Sequence, residues 1–175
     1  TVATAFKITL TYMDPIQMLA AASVVSALSL VAVAGWQGNL HLITSTFFRR
    51  PLYYLMLGLI NPFIYYLVLF KAYDLLPASL AQPLNYSWAI TLTLMAAIFL
   101  GQKIRKQDWI AAALGYAGVV VIATKGNVLE LNFDSPLGVG LALFSTLLWA
   151  GYWILNAKNQ ADPVIGLLLG FLLSL

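Results

Sequence analysis

Five stretches of this chain contain no Asp, Glu, Lys or Arg: Pro15–Phe48, Pro51–Phe70, Leu75–Gln102, Trp109–Thr124 and Ser135–Ala157. A hydrocarbon core about 30 Å thick is crossed by about 20 apolar residues in helical form. No water reaches its middle, so each unsatisfied backbone group there costs several kcal/mol, and segments of this kind must be helical. Nearly consecutive spans of this length predict an all-α, polytopic membrane helix bundle. The composition agrees: 62% of residues are hydrophobic and 9% charged, against about 45–50% and 25% in soluble domains.

Several function classes fall away on composition. There is no cysteine, hence no disulfide, thiol chemistry or Cys-ligated metal. The net charge of +3 comes from only nine basic residues, too few for a nucleic-acid surface and suited instead to orienting membrane loops. His41, the single histidine, has no companion for a zinc site. Glu130 and Asp134 share a short loop, where topology and capping explain them. Neither a Gly-rich phosphate loop nor a nucleophile elbow is present, so no catalytic residue, cofactor or metal is expected. The sequon Asn85-Tyr86-Ser87 lies inside a predicted span, out of reach of a glycosyltransferase.

The spans read as about seven helices. The first covers Thr1–Tyr12 and the second runs from Pro15 to near Ala34, followed by a loop over Gly35–Arg50. The third runs from Pro51 to near Tyr73, the fourth from Ala78 to Leu100 and the fifth from Gln107 to Thr124. The sixth runs from Pro136 to near Ala157, and a seventh starts at Pro163. Asp14-Pro15, Ser135-Pro136 and Asp162-Pro163 each set a capping side chain before a proline at the first helical position. Trp36 and Trp109 fall near span ends, where indoles favour the interface. Thr1 already lies in a helical pattern, and Leu175 lies inside an apolar run that begins at Pro163. Both ends therefore read as cuts within a longer protein, the first and last helices being incomplete.

Loop charge sets the expected orientation. Arg49, Arg50, Lys103, Arg105, Lys106 and Lys158 follow the second, fourth and sixth helices. Asp14, Asp74, Glu130 and Asp134 lie in the opposite loops with only Lys71 and Lys125. The basic loops at 49–50, 103–106 and 158 are thus expected on the cytoplasmic side of an inner membrane. Asp14-Pro15 and Asp162-Pro163 open two similar helix-turn-helix passages on opposite faces. Inverted repetition of this sort is a recurring plan of secondary transporters.

Polar residues inside the spans carry the remaining functional signal. Gln82, Asn85, Tyr86 and Thr93 share one helical face with Ala89, and Pro83 lies among them. Such a face serves either hydrogen bonding between helices or the wall of a substrate cavity. Asn61 and Tyr65 stand one turn apart around Pro62, which implies a kink, static or gating. Ser145, Trp149, Tyr152, Trp153 and Asn156 line a broad face of the sixth helix, where Trp149 and Tyr152 either pack or wall a cavity. Lys7 shares a face with Thr4 and Thr11 and is a candidate partner for a substrate carboxylate. Lys71 either snorkels or pairs with Asp74. No span carries a mid-depth carboxylate, so the usual Asp/Glu/His proton relay is absent. Gly115 and Gly118, with Ala111 and Ala112, form a small-residue face suited to close packing.

Between Lys71 and Gly126, the segment LLPASLAQPLNYSWAITLTLMAAIFLGQKIRKQDWIAAALGYAGVVVIATKG resembles the fourth and fifth helices of drug/metabolite transporters with EamA repeats. LGVGLALFSTLLWAGYWILNAKNQADP is similar to the opening of a second such repeat. Asn85-Tyr86-x-Trp88 is similar to the branch of YddG-type aromatic amino-acid exporters. Two positions depart from the pattern: Gln102 where an acidic residue is common, and Ala89 where that branch has Pro. The resemblance implies a ten-helix, inverted-repeat transporter with a central cavity near Asn85, Tyr86 and Trp88. It divides the chain into a first repeat at 1–126, an outer loop at 127–135 and the start of a second repeat at 136–175.

Together these features predict a non-enzymatic transporter or exporter of a small organic metabolite, an amino acid or similar, working by alternating access. Its partners are that substrate and the lipid bilayer, with no nucleic acid. Expected substrate-binding residues are Asn85, Tyr86, Trp88, Gln82, Asn61, Tyr65, Trp149, Tyr152 and Lys7. A membrane structural or assembly protein is the alternative, with an intramembrane enzyme behind it.

Overall fold

The computed structural model describes residues 2–129, 133, 135–157 and 159–175. Glu130, Asp134 and Lys158, three of the loop charges used above, lie outside the described residues. The elements are α1 (Val2–Thr9), α2 (Pro15–Trp36), α3 (Leu42–Arg49), α4 (Pro51–Leu75), α5 (Ala78–Leu100), α6 (Lys106–Ala123), α7 (Pro136–Asn156) and α8 (Pro163–Leu172). Among the described residues there is no strand. By length and composition α2, α4, α5 and α7 are able to cross a membrane. α6 reaches 18 residues only by including the charged turn Lys106-Gln107-Asp108, and it is not among them.

The expected starts at Pro15, Pro51, Ala78, Pro136 and Pro163 are the observed starts. Their caps show why. Ser135 Oγ accepts from the Gly138 amide at 3.1 Å, and Asp162 Oδ1 accepts from Val164 and Ile165 at 2.9 and 3.2 Å. At Asp14 the backbone N–H donates to Gln17 Oε1 at 3.1 Å. Each contact satisfies a helix-end group that has no partner within the helix. One expectation fails: the loop predicted over Gly35–Arg50 contains a helix, α3. Its Leu42, Ile43 and Phe47 pack against a core made by Ala34, Tyr54, Leu57, Tyr152, Ile165 and Leu169. Tertiary burial of an apolar edge makes this segment helical despite its turn-rich start.

α7 lies at the centre and packs against both α4 and α5. Small side chains allow the approach, since Ala142, Ser145 and Ala150 have no exposed surface. The main core joins Tyr65, Leu69 and Tyr73 of α4 and Leu76 just after it to Leu80 and Leu84 of α5, with Val119 of α6 and Val139 of α7. At one end Lys7 Nζ donates to the carbonyls of Tyr73, Asp74 and Leu76 at 2.6, 3.1 and 3.2 Å. Lys71 and Asp74 form an ion pair nearby at 2.7 Å. At the other end Asn39 Nδ2 donates to Asp162 Oδ2 at 3.2 Å, and Tyr54 OH donates to Asn159 Oδ1 at 3.1 Å.

Glycine decides two close approaches. A Cβ at Gly58 would stand 3.0 Å from the Gly170 carbonyl oxygen, and one at Gly138 would stand 2.8 Å from Leu76 Cγ. In α6 the expected small-residue face is only half used. Ala112 is buried and Gly115 packs on Ile90, whereas Ala111 is exposed and Gly118 faces open space. Gly58→Val and Gly138→Val are therefore expected to destabilise the fold by about 1–3 kcal/mol through overpacking. Gly118→Ala is expected to be neutral or to stabilise by up to about 1 kcal/mol. Thermal unfolding of the purified variants in one detergent checks the contrast.

Candidate functional site

The site starts from a break in α4. Proline removes a backbone donor and disfavours helical angles in the residue before it. Asn61, preceding Pro62, has φ −144° and ψ 121° in an otherwise helical stretch, and the peptide bond between them is cis. The turn is re-formed as a π-helical segment, Leu59–Ile64, in which the Tyr65 amide donates to the Ile60 carbonyl. Gly170 of α8 packs against this break, where its own Cβ would lie 3.6 Å from the Asn61 carbonyl oxygen.

Beside the break lies a cavity of about 440 Å³. Its wall takes Asn61 from α4, Trp149, Tyr152, Trp153 and Asn156 from α7, Asn159 and Ala161 from the connection, and Pro163, Gly166 and Leu167 from α8. Among the described residues, none that lines it is Asp, Glu, Lys, Arg or His. The chemistry offered is aromatic surface with three carboxamides, a mix typical of small-molecule pockets of about 300–1,000 Å³. Two polar atoms of this wall have no hydrogen-bond partner, Asn61 Oδ1 and Trp149 Nε1. The Asn61 side chain lies against the Tyr152 hydroxyl, yet its Oδ1 stays unpaired. Each orphaned group costs about 1–3 kcal/mol, and such atoms are rare enough in native folds to require an explanation.

Trp149 is the hub of the wall. Its ring centroid lies 4.7 Å from that of Tyr65 and 6.2 Å from those of Trp88, Tyr152 and Trp153. Behind this aromatic layer, Asn85 Nδ2 donates to Ser145 Oγ at 2.9 Å and reaches Tyr65 OH at 3.4 Å. Asn85 is only 5% exposed and does not line the cavity. A second polar set sits one turn on, where Thr91 Oγ1 meets Tyr116 OH at 2.9 Å and Thr146 Oγ1 at 3.0 Å.

The structure thus brings together some of the expected site residues and separates others. Asn61, Trp149 and Tyr152 line the cavity, and Tyr65 and Trp88 back Trp149. Gln82 and Tyr86 face elsewhere, Gln82 Nε2 donating to Tyr86 OH at 3.2 Å, with Tyr86 60% exposed. The expected water-accessible wall at Asn85 and Tyr86 is not formed. α5 is interrupted at Ser87 between two helical segments, Ala78–Tyr86 and Trp88–Leu100. Asn85 turns inward to Ser145, while Tyr86, Ala89 and Thr93 stay exposed. Lys7, expected to offer a charge to substrate, instead donates to three carbonyls at the end of α4. A cation there suits the negative end of the helix dipole.

Sequence reasoning missed Asn159 and Gly166 on the wall. Asn159 follows a helix end, in a stretch without apolar periodicity to place it. Its spacing of three from Asn156, which it contacts at 3.4 Å, was the available signal.

Lys7→Met is expected to destabilise the fold by about 1–3 kcal/mol, since three carbonyls lose a charged donor. Substrate affinity should be unchanged. Thermal unfolding together with a binding isotherm checks both, and lost affinity at unaltered stability would place Lys7 at the substrate.

The profile of the EamA-like transporter family matches residues 1–124. Comparisons with curated proteins and with solved structures return no significant match. A match over most of the chain, on a bundle with four helices able to span a membrane and a cavity at a broken helix, establishes that this chain belongs to the EamA-like transporter family, a membrane transporter family of the drug/metabolite type.

Proposed function

We propose that this protein exports a small organic metabolite, an amino acid or a relative of one, across the inner membrane by alternating access. The reading rests on one observation: the cavity of about 440 Å³ at the α4 break, whose described lining is aromatic and carboxamide, with Asn61 Oδ1 and Trp149 Nε1 unpaired in its wall. Broken helices beside midplane cavities are where secondary transporters hold their cargo. Lipid-exposed irregular backbone does not occur at membrane depth, so the break implies a protein-lined or water-lined space.

In this reading Trp149, Tyr152 and Trp153 stack on the apolar part of the cargo, while Asn61, Asn156 and Asn159 hydrogen-bond its polar part. The described lining, aromatic rings and carboxamides without a charged group, favours cargo that is neutral overall, including a zwitterion. The cavity reaches Asn156, Asn159 and Pro163, at the bundle end that carries Arg49 and Arg50. With the basic loops at 49–50, 103–106 and 158 in the cytoplasm, the cavity opens inward. The Asn85–Tyr65–Ser145 cluster then closes the outer path. Residues 1–126 form the first repeat, 127–135 the outer loop and 136–175 the opening of the second, inverted repeat.

The 175 residues contain no cysteine, so single-cysteine variants report cleanly. Asn156→Cys and Gly166→Cys are expected to react with a membrane-impermeant thiol reagent added from the cytoplasmic side. Asn85→Cys should stay protected, because thiolates form readily only where water reaches. Labelling at 85 with protection at 156 would reverse the assignment. In proteoliposomes of the full-length protein, tested for uptake and efflux against a panel of amino acids and related metabolites, Trp149→Ala is expected to lower transport about tenfold through lost stacking. An unchanged rate would remove the cavity from the path.

A further inference from the structure

Arg49 and Arg50 stand where α3 ends and α4 begins, with no acidic partner among the described residues. They help line a small polar pocket of about 110 Å³ together with Thr46, Tyr54, Asn159 and Gln160. The nearest carboxylate in sequence to that wall, Asp162, is engaged by Asn39 and by the Val164 and Ile165 amides. A second, apolar groove of about 400 Å³ begins at Arg50 itself and continues along Pro51, Leu52, Tyr53 and Met56. Leu52 is 78% exposed and Met56 42%. Tyr53 gives the groove a fixed edge, its hydroxyl donating to the Leu155 carbonyl at 2.9 Å.

A guanidinium pair, one member of which borders an open apolar face at the start of a membrane-crossing helix, matches one ligand shape, an anionic head joined to a hydrocarbon tail. Guanidinium groups bind phosphate oxygens in bidentate fashion, and basic pockets between helices at the membrane surface recognise anionic lipid heads. A topology signal alone requires charge at this level; it does not require a pocket or a groove joined to it.

We propose that Arg49, Arg50 and the α4 groove form a binding site for an anionic phospholipid. The phosphate sits on the arginine pair beside Thr46, and one acyl chain lies along Leu52 and Met56. The inference requires only that α4 cross a bilayer and is independent of the cargo assigned above.

Native mass spectrometry of the full-length protein in detergent, titrated with phosphatidylglycerol or phosphatidylcholine, tests it. Phosphatidylglycerol is expected to bind more tightly. Arg49→Gln with Arg50→Gln should weaken that binding about thirtyfold, two charges each contributing about five- to sixfold. Met56→Asn, which leaves both arginines in place, should weaken it severalfold, and soluble glycerol phosphate should not compete. Full competition by glycerol phosphate would assign the pocket to a free anion and overturn the proposal. Equal affinity for the two lipids, or unchanged phosphatidylglycerol binding in both variants, would overturn it as well.

Discussion

A peptide group that loses its helical partner inside a bilayer has no water to turn to, and this constraint organises the molecule. α4 loses such partners at Asn61-Pro62, halfway along the helix. The gap is covered from one side by α8 at Gly170, where α4 and α8 come close: a Cβ at Gly58 would stand 3.0 Å from the Gly170 carbonyl oxygen. On the other side it borders the cavity walled by α7. The break thus lies between the backbone of α8 and the space walled by α7. α7 is pinned elsewhere by its own small residues, Ala142, Ser145 and Ala150, against α4 and α5.

Within this frame the polar side chains divide into two populations with opposite physical states. Asn85, Ser145, Thr91 and Thr146 are buried and paired, which holds helices together at the modest strength of hydrogen bonds in membranes. Asn61 and Trp149 are unpaired at the cavity wall, a state that costs free energy until something meets them. Trp149 touches both populations. Its ring packs on Tyr65, which reaches Asn85, and on Tyr152, which lines the cavity. A change at the cavity wall is therefore in direct contact with the paired cluster that ties α4, α5 and α7 together.

Much of the architecture was legible beforehand. Long uncharged runs and capped prolines located the helices, because span length and helix-end chemistry are local properties. The polar residues of the site were legible as a set but less so in their roles. Asn61, Trp149 and Tyr152 do share a cavity. Asn85 and Tyr86, consecutive and so about 100° apart around the helix, point to different environments, Asn85 inward to Ser145 and Tyr86 outward. Lys7 looked like a charge in search of a ligand, and three carbonyls from a helix end more than sixty residues away already occupy it. α3 is not legible as a helix in the sequence because the partners that stabilise it, Tyr54 and Ile165 among them, come from other helices.

By itself the sequence determined that the chain is helical and bilayer-spanning, where its main helices start, and that no span carries a carboxylate at mid-depth. These follow from hydrophobic length, cap residues and the cost of charge in lipid, all of which act within a single segment. Only the tertiary structure decided which polar groups are satisfied and which are buried without a partner. That outcome depends on how one helix is rotated against the next, and two backbone interruptions, at Asn61 and at Ser87, reset the phase that an uninterrupted wheel assumes.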